Sequence, residues 1–214
     1  MSIGSIIRTT AGPFEKQLCS LYRSVFMNVR RCMEQIQRAI PNGSAVIDVG
    51  GGDGEMLNHL LRLRPDIEVV MLDMRDNIGQ FLAPDVRDRV ILRPSTSLAA
   101  FRSESGELAD VLIVSDVVHH VPVNMRNQFI DDCVSMTKPG GILIIKDIAP
   151  GGMTAALSVL ADRYITGDRH VTLMLPADLA ALIESFGCTK IGELLARREL
   201  PNHAIAFRTA LKQN

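Results

Sequence analysis

The 214-residue chain has no tryptophan, two tyrosines and four cysteines. Cys19, Cys32, Cys133 and Cys188 are widely separated, with no C-x-x-C pair and no histidine at ligand spacing. That excludes a sequence-encoded zinc site or disulfide framework, so no metal is expected, and it fits reduced thiols in the cytoplasm. There is no run of five like charges, and 23 basic residues face 24 acidic ones for a net charge of −1. A surface that tracks phosphates is therefore not expected, and nucleic acid is not a predicted partner. No stretch nears the roughly 18 uninterrupted apolar residues of a membrane span, and MSIGSIIRTTAG lacks the apolar centre of an export signal. Internal repeats and low-complexity tracts are also missing.

What is present is globular: 47% of residues are hydrophobic and 22% charged. Phe14, Leu18, Leu21, Tyr22, Val25, Val29, Met33, Ile36 and Ile40 recur at steps of three and four, the apolar face of a helix stopped by Pro41-Asn42-Gly43. Beyond it, strands are expected at 45–49, 67–73, 89–93, 110–115 and 142–148. Helices are expected up to Arg64, near 75–82, and from Pro122 to Thr137, with a short helix or loop after the third strand. Pro176 opens a further helix that Gly187 closes, and 189–195 and 203–211 read as two last strands, antiparallel to one another. Strands this uniformly apolar have no wet face, so the pattern predicts a doubly wound α/β fold. Its sheet is seven-stranded and mainly parallel, with helices on both faces and a terminal antiparallel strand. The chain is read as one domain: a helical cap (1–43), a core (44–150), a possible lid (151–175) and a C-terminal helix with two strands (176–214).

The stretch VIDVGGGDGEML, residues 46–57, carries the chemistry. In an open parallel sheet the ligand sits at the carboxyl ends of the strands, against the first strand and the turn after it. Here that turn is Gly50-Gly51-Gly52-Asp53-Gly54, leading into a helix N-terminus whose free N–H groups can meet a ligand. A dinucleotide would favour G-x-G-x-x-G, but the sixth position from Gly50 is Glu55, and Asp48 and Asp53 would repel phosphates. A cofactor with a cationic centre and an ammonium group, such as S-adenosyl-L-methionine, suits these acids better. Asp73, ending VVMLDM, is placed to accept both hydroxyls of a ribose.

These residues resemble the class I S-adenosylmethionine-dependent methyltransferases. The likeness rests on Asp48 with Gly50, Gly52 and Gly54, on Asp73, and on the Lys138-Pro139-Gly140-Gly141 turn. DVGGGDG, RPDIEVVMLDM and ADVLIVSDVVHHV are similar to the small-molecule O-methyltransferases related to the plant phenolic enzymes. The resemblance implies cofactor contacts from Asp48, Gly50, Gly51, Gly52, Asp73 and Met74 on one side and Ser115 and Asp116 on the other. Where the family commonly has an adenine-binding Asp, this chain has Pro94-Ser95-Thr96, making Ser95 or Thr96 the candidate. The tryptophan usual after the catalytic histidine is missing, and the N-terminal dimerisation domain is represented by about 40 residues. A homodimer stays a permitted assembly.

The same likeness matches His119 to the family's general base, with neighbouring His120 as the other candidate; adjacent side chains are expected to diverge, so that only one faces the acceptor. Tyr164 and His170, in the lid segment, are the candidate acceptor contacts. The expected activity is methyl transfer from S-adenosyl-L-methionine to a small, partly apolar molecule, at oxygen because of His119. The alternatives are methylation at nitrogen or carbon, a cofactor-binding module without catalysis, and a dinucleotide-dependent oxidoreductase.

Overall fold

The computed structural model describes residues 28–151, 171–195 and 201–211. Seven strands form one sheet: β1 (Ala45–Val49), β2 (Glu68–Leu72), β3 (Val90–Arg93), β4 (Ala109–Ser115), β5 (Thr137–Ile148), β6 (Thr189–Glu193) and β7 (Asn202–Arg208). Their spatial order is β3-β2-β1-β4-β5-β7-β6. β3 through β5 pair in parallel, and the chain's last strand, β7, inserts antiparallel between β5 and β6. The expected doubly wound architecture is the observed one. The order reverses between β1 and β4, which opens a crevice at the carboxyl edge of the sheet.

Alternate strand residues feed two cores, one on each face. Val46, Val69, Val111 and Ile144 pack with Met33 and Ile36 of α1 (Val29–Ile36) and with Leu60 and Leu61 of α2 (Glu55–Leu63). Ile47, Leu112, Leu143, Ile145 and Phe207 pack on the other side, against Phe101 of α4 (Leu98–Ser105), Ile130 and Cys133 of α5 (Arg126–Met136), and Leu179 and Ile183 of α6 (Pro176–Ser185). Helix α1 occupies part of the span of the single helix expected from residue 14 to Ile40, but that helix is not continuous: Asn28 has non-helical backbone (φ −80°, ψ 89°) and starts α1 by accepting from Arg31 N–H at 3.0 Å. The positions Phe14 to Val25 lie outside the described residues. Among the described residues, no helix is long and apolar enough to cross a membrane.

One expected element is replaced. Residues 75–82 do not form a helix; the helical turn comes later, as α3 (Pro84–Arg87). Their backbone groups are claimed by other partners. Gly79 N–H donates to Gly52 O at 2.9 Å and Phe81 N–H to Asp53 O at 2.8 Å. The Asn58 side chain from α2 binds Phe81 O and Ala83 N–H, both at 2.8 Å. The segment is therefore a loop strapped to the underside of the glycine turn, where tertiary hydrogen bonds outweigh a weak helical pattern.

Candidate active site

The glycine turn follows β1 directly. Gly50 (φ 74°), Gly52 (φ 63°) and Gly54 (φ 84°) all adopt left-handed backbone, which a side chain enters at a cost. Much of the crowding around the turn is internal. A Cβ at Gly50 would lie 2.3 Å from Val117 Cγ2, one at Gly51 2.5 Å from Asp48 Oδ2 and 2.6 Å from Met71 Cγ, and one at Gly54 2.7 Å from Leu82 Cγ. At Gly52 the close neighbour is the movable tip of Arg75, with Nη2 at 2.7 Å. Gly52 thus keeps the backbone facing an approachable side, while its neighbours make room for the protein's own packing.

Two acids flank the turn. Asp48 is 5% exposed, beneath Gly51. Burial, and then the nearby Asp73, pushes its carboxyl up to about 7. Asp73, just past β2, accepts from Gly52 N–H at 3.0 Å and from the Arg75 backbone N–H at 2.9 Å. The Arg75 guanidinium adds contacts at 3.3 and 3.2 Å. Met74 is exposed beside it. Across the edge, Ser95 N–H donates to Arg75 O and Thr96 N–H to Asp73 O, joining the ends of β2 and β3. Ser95 is left-handed (φ 51°), and the Thr96 hydroxyl turns back onto Pro94 O. Asp48, Asp73, Met74, Ser95 and Thr96 therefore share one end of the sheet.

The other half of the site lies where β4 and β5 end. Ser115 is buried, with no partner for its Oγ, and Asp116 turns the chain with φ 57°. The 3-10 turn Val118–His120 then carries both histidines. Their rings do not diverge as a strand would dictate: the centroids are 4.1 Å apart and tilted by 46°. His119 is buried and His120 half-buried. His119 Nδ1 bonds Asp147 Oδ1, and its backbone N–H donates to Asp147 Oδ2 at 3.1 Å. Burial pushes the Asp147 carboxyl upward, but the bond and charge of His119, the Ile148 N–H and the charge of Lys146 outweigh it, and Asp147 lies below the ordinary carboxylate range. Thr172 N–H donates to His119 O at 2.9 Å, and Arg126 holds Thr172 O. Tyr164 and His170 lie outside the described residues.

Asp147 and Lys146 were not singled out from the sequence. Their signal was there: a Lys-Asp pair interrupting the buried run ILIIKDI at the carboxyl edge. Asp116, His119 and Asp147 bring ligand atoms within 4.8 Å of one another. A positive charge is already supplied there by the Lys146 ammonium, bonded to both Asp116 oxygens. A histidine oriented by a buried carboxylate, across a crevice from a glycine turn and two acids, suits proton transfer beside a bound cofactor.

A family model described as a methyltransferase domain matches residues 22–193. The chain belongs to this methyltransferase family. Rat mitochondrial ubiquinone biosynthesis O-methyltransferase is 31% identical over 132 residues, covering 59% of this chain and 37% of that protein. The chain thus spans little more than a third of that relative's length. Mitomycin 7-O-methyltransferase has the same fold, with a TM-score of 0.69, 19% identity, and coverage of 98% of this chain and 61% of that one. So does human N-acetylserotonin methyltransferase, solved in complex with S-adenosylmethionine, with a TM-score of 0.67, 16% identity, and coverage of 95% and 58%. The methyltransferase fold places the described glycine turn and the His119–Asp147 pair on the same sheet edge.

Proposed function

We propose that this methyltransferase moves the methyl group of S-adenosyl-L-methionine to an oxygen of a small, partly apolar acceptor. The observation that carries the choice of oxygen is the His119–Asp147 pair. Oxygen acceptors must lose a proton to become good nucleophiles, and a carboxylate-oriented imidazole is built to take one. The O-methyltransferase name of the ubiquinone-pathway relative supports the same atom.

The residues fit this cofactor. Asp48, a buried acid with a raised pKa, gains from a neighbouring ammonium or sulfonium. Asp73 offers two oxygens to a ribose once Arg75 gives way, and the Gly52 side of the turn admits a ligand lying on the backbone. Gly50 and Gly51 shape that turn, Met74, Ser95 and Thr96 border the adenine end, and Ser115 and Asp116 border the methionine end. When bound, the cofactor supplies an activated methyl group on a good leaving group. The protein aligns the acceptor and excludes water. His119 donates Nδ1–H to Asp147 and takes the acceptor proton at Nε2, and Asp147 stabilises the resulting imidazolium.

Thr172, next to this segment in sequence, is tied to the site through His119 and Arg126, which supports the reading of Tyr164 and His170, outside the described residues, as acceptor contacts. The free, buried thiols of Cys133 and Cys188 support a cytoplasmic location; a homodimer rests on the family likeness alone. The test is methyl transfer from labelled S-adenosylmethionine across matched phenols, amines and enolisable ketones. Label on phenols and hydroxyls is expected; label confined to amines or carbon would overturn the choice of oxygen.

A further inference from the structure

Near its end β5 carries two consecutive charged residues, Lys146 and Asp147, and both grip the same short segment after β4. Asp147 holds His119. Lys146 is 1% exposed and donates to Asp116 Oδ1 at 2.6 Å and Oδ2 at 2.5 Å. The backbone closes the grip, with Asp116 N–H donating to Lys146 O at 2.9 Å. Asp116 has φ 57°, a conformation most side chains avoid, and this turn redirects the chain from β4 into the histidine-bearing 3-10 turn.

Stability alone is a weak reason for such a lysine. Desolvating a buried ion pair commonly cancels its attraction, and a well-packed apolar pair does as well or better. The residues just before it on β5, Ile142 to Ile145, show that aliphatic side chains fit this part of the sheet. Nor is Lys146 needed to satisfy its register partner: Ser115, beside it on β4, keeps a buried hydroxyl with no partner. What the ammonium does hold is Asp116, whose carboxylate is one-third exposed and would otherwise be free to hydrate and swing.

We propose that Lys146 is a positioning residue for the acid–base pair: through Asp116 it fixes the left-handed turn that sets His119 against Asp147. Its catalytic consequence rests on the methyl-transfer reading, whereas the geometric claim can be read without turnover. The experiment uses the full chain as wild type, Lys146→Met and Lys146→Met/Asp116→Asn. The double variant removes both charges, which keeps the test open if the single one folds poorly. A cooperative urea transition followed by far-ultraviolet circular dichroism marks the folded state. Proton NMR then follows the downfield resonance of the His119 Nδ1–H bonded to Asp147, and initial rates give kcat and KM. We expect the folded variants to lose or broaden that resonance and to drop about 10- to 100-fold in kcat, the scale for a displaced reacting group, with little change in the cofactor KM of the single variant, which keeps Asp116. A wild-type resonance in a folded variant would overturn the proposal whatever the kcat. Loss of the resonance with unchanged kcat would support the positioning and count instead against His119 as the base.

Discussion

Replacing Asp48 with asparagine should make this protein more stable in mild alkali and leave it almost unchanged in acid. The carboxyl is nearly sealed from solvent, and burial together with Asp73 raises it from 3.8 to about 7. Between those values the folded chain binds a proton that the unfolded chain has lost. This contribution to stability is therefore full below the unfolded pKa, declines as pH rises, and is gone above the folded one. The span is a little over three pH units, and at about 1.4 kcal/mol each it amounts to roughly 4 kcal/mol, an upper figure because the site can relax. Asparagine has the same shape and cannot ionise. Urea unfolding followed by far-ultraviolet circular dichroism, from about pH 4 to pH 8, should give curves that coincide in acid and separate toward alkali, with Asp48→Asn the more stable. Parallel curves, or a less stable asparagine variant at the alkaline end, would refute the reasoning. A bound cation should lower the Asp48 pKa, so cofactor binding near neutrality should release a proton. Calorimetry in buffers of different ionisation enthalpy would detect it.

Gly51→Ala should cost about 1–3 kcal/mol of stability, because its Cβ meets Asp48 and Met71, whereas Gly52→Ala should show its larger effect on cofactor affinity. Thermal melts with and without S-adenosylhomocysteine separate the two. Asp73→Ala should weaken cofactor binding by about 1–3 kcal/mol, read by calorimetry, and an unchanged affinity would mean the ribose is held elsewhere. His203→Leu should raise the unfolding midpoint, since both ring nitrogens of His203 are buried without partners and unmet polar groups cost about 1–3 kcal/mol each.

The fold was legible because its signals are local. Each apolar strand ends at a turn or helix start visible in the sequence, and Gly54, Pro176 and Gly187 stand at helix boundaries in the structure. The misread helix at 75–82 shows the limit: the capture of Phe81 and Ala83 by Asn58 spans more than 20 residues and leaves no periodic trace. The site divides the same way. The glycine turn and Asp73 announce themselves by spacing, but the turn's fit to Val117, Met71 and Leu82 is a packing fact. His119 could be named, yet its partner Asp147 lies 28 residues on, joined by the parallel register of β4 and β5. Lys146 and Asp147 were visible only as polar residues where a buried strand should have none.

The central claim, that His119 removes the acceptor proton, is tested most directly by single-turnover methyl transfer from labelled S-adenosylmethionine to a phenolic acceptor, in wild type and His119→Ala across pH. The account predicts nearly intact cofactor affinity in the variant, a rate lower by about 10²–10⁴-fold, and loss of the rise in rate that accompanies imidazole deprotonation in the wild type. A wild-type rate with an unchanged pH profile in His119→Ala would contradict it.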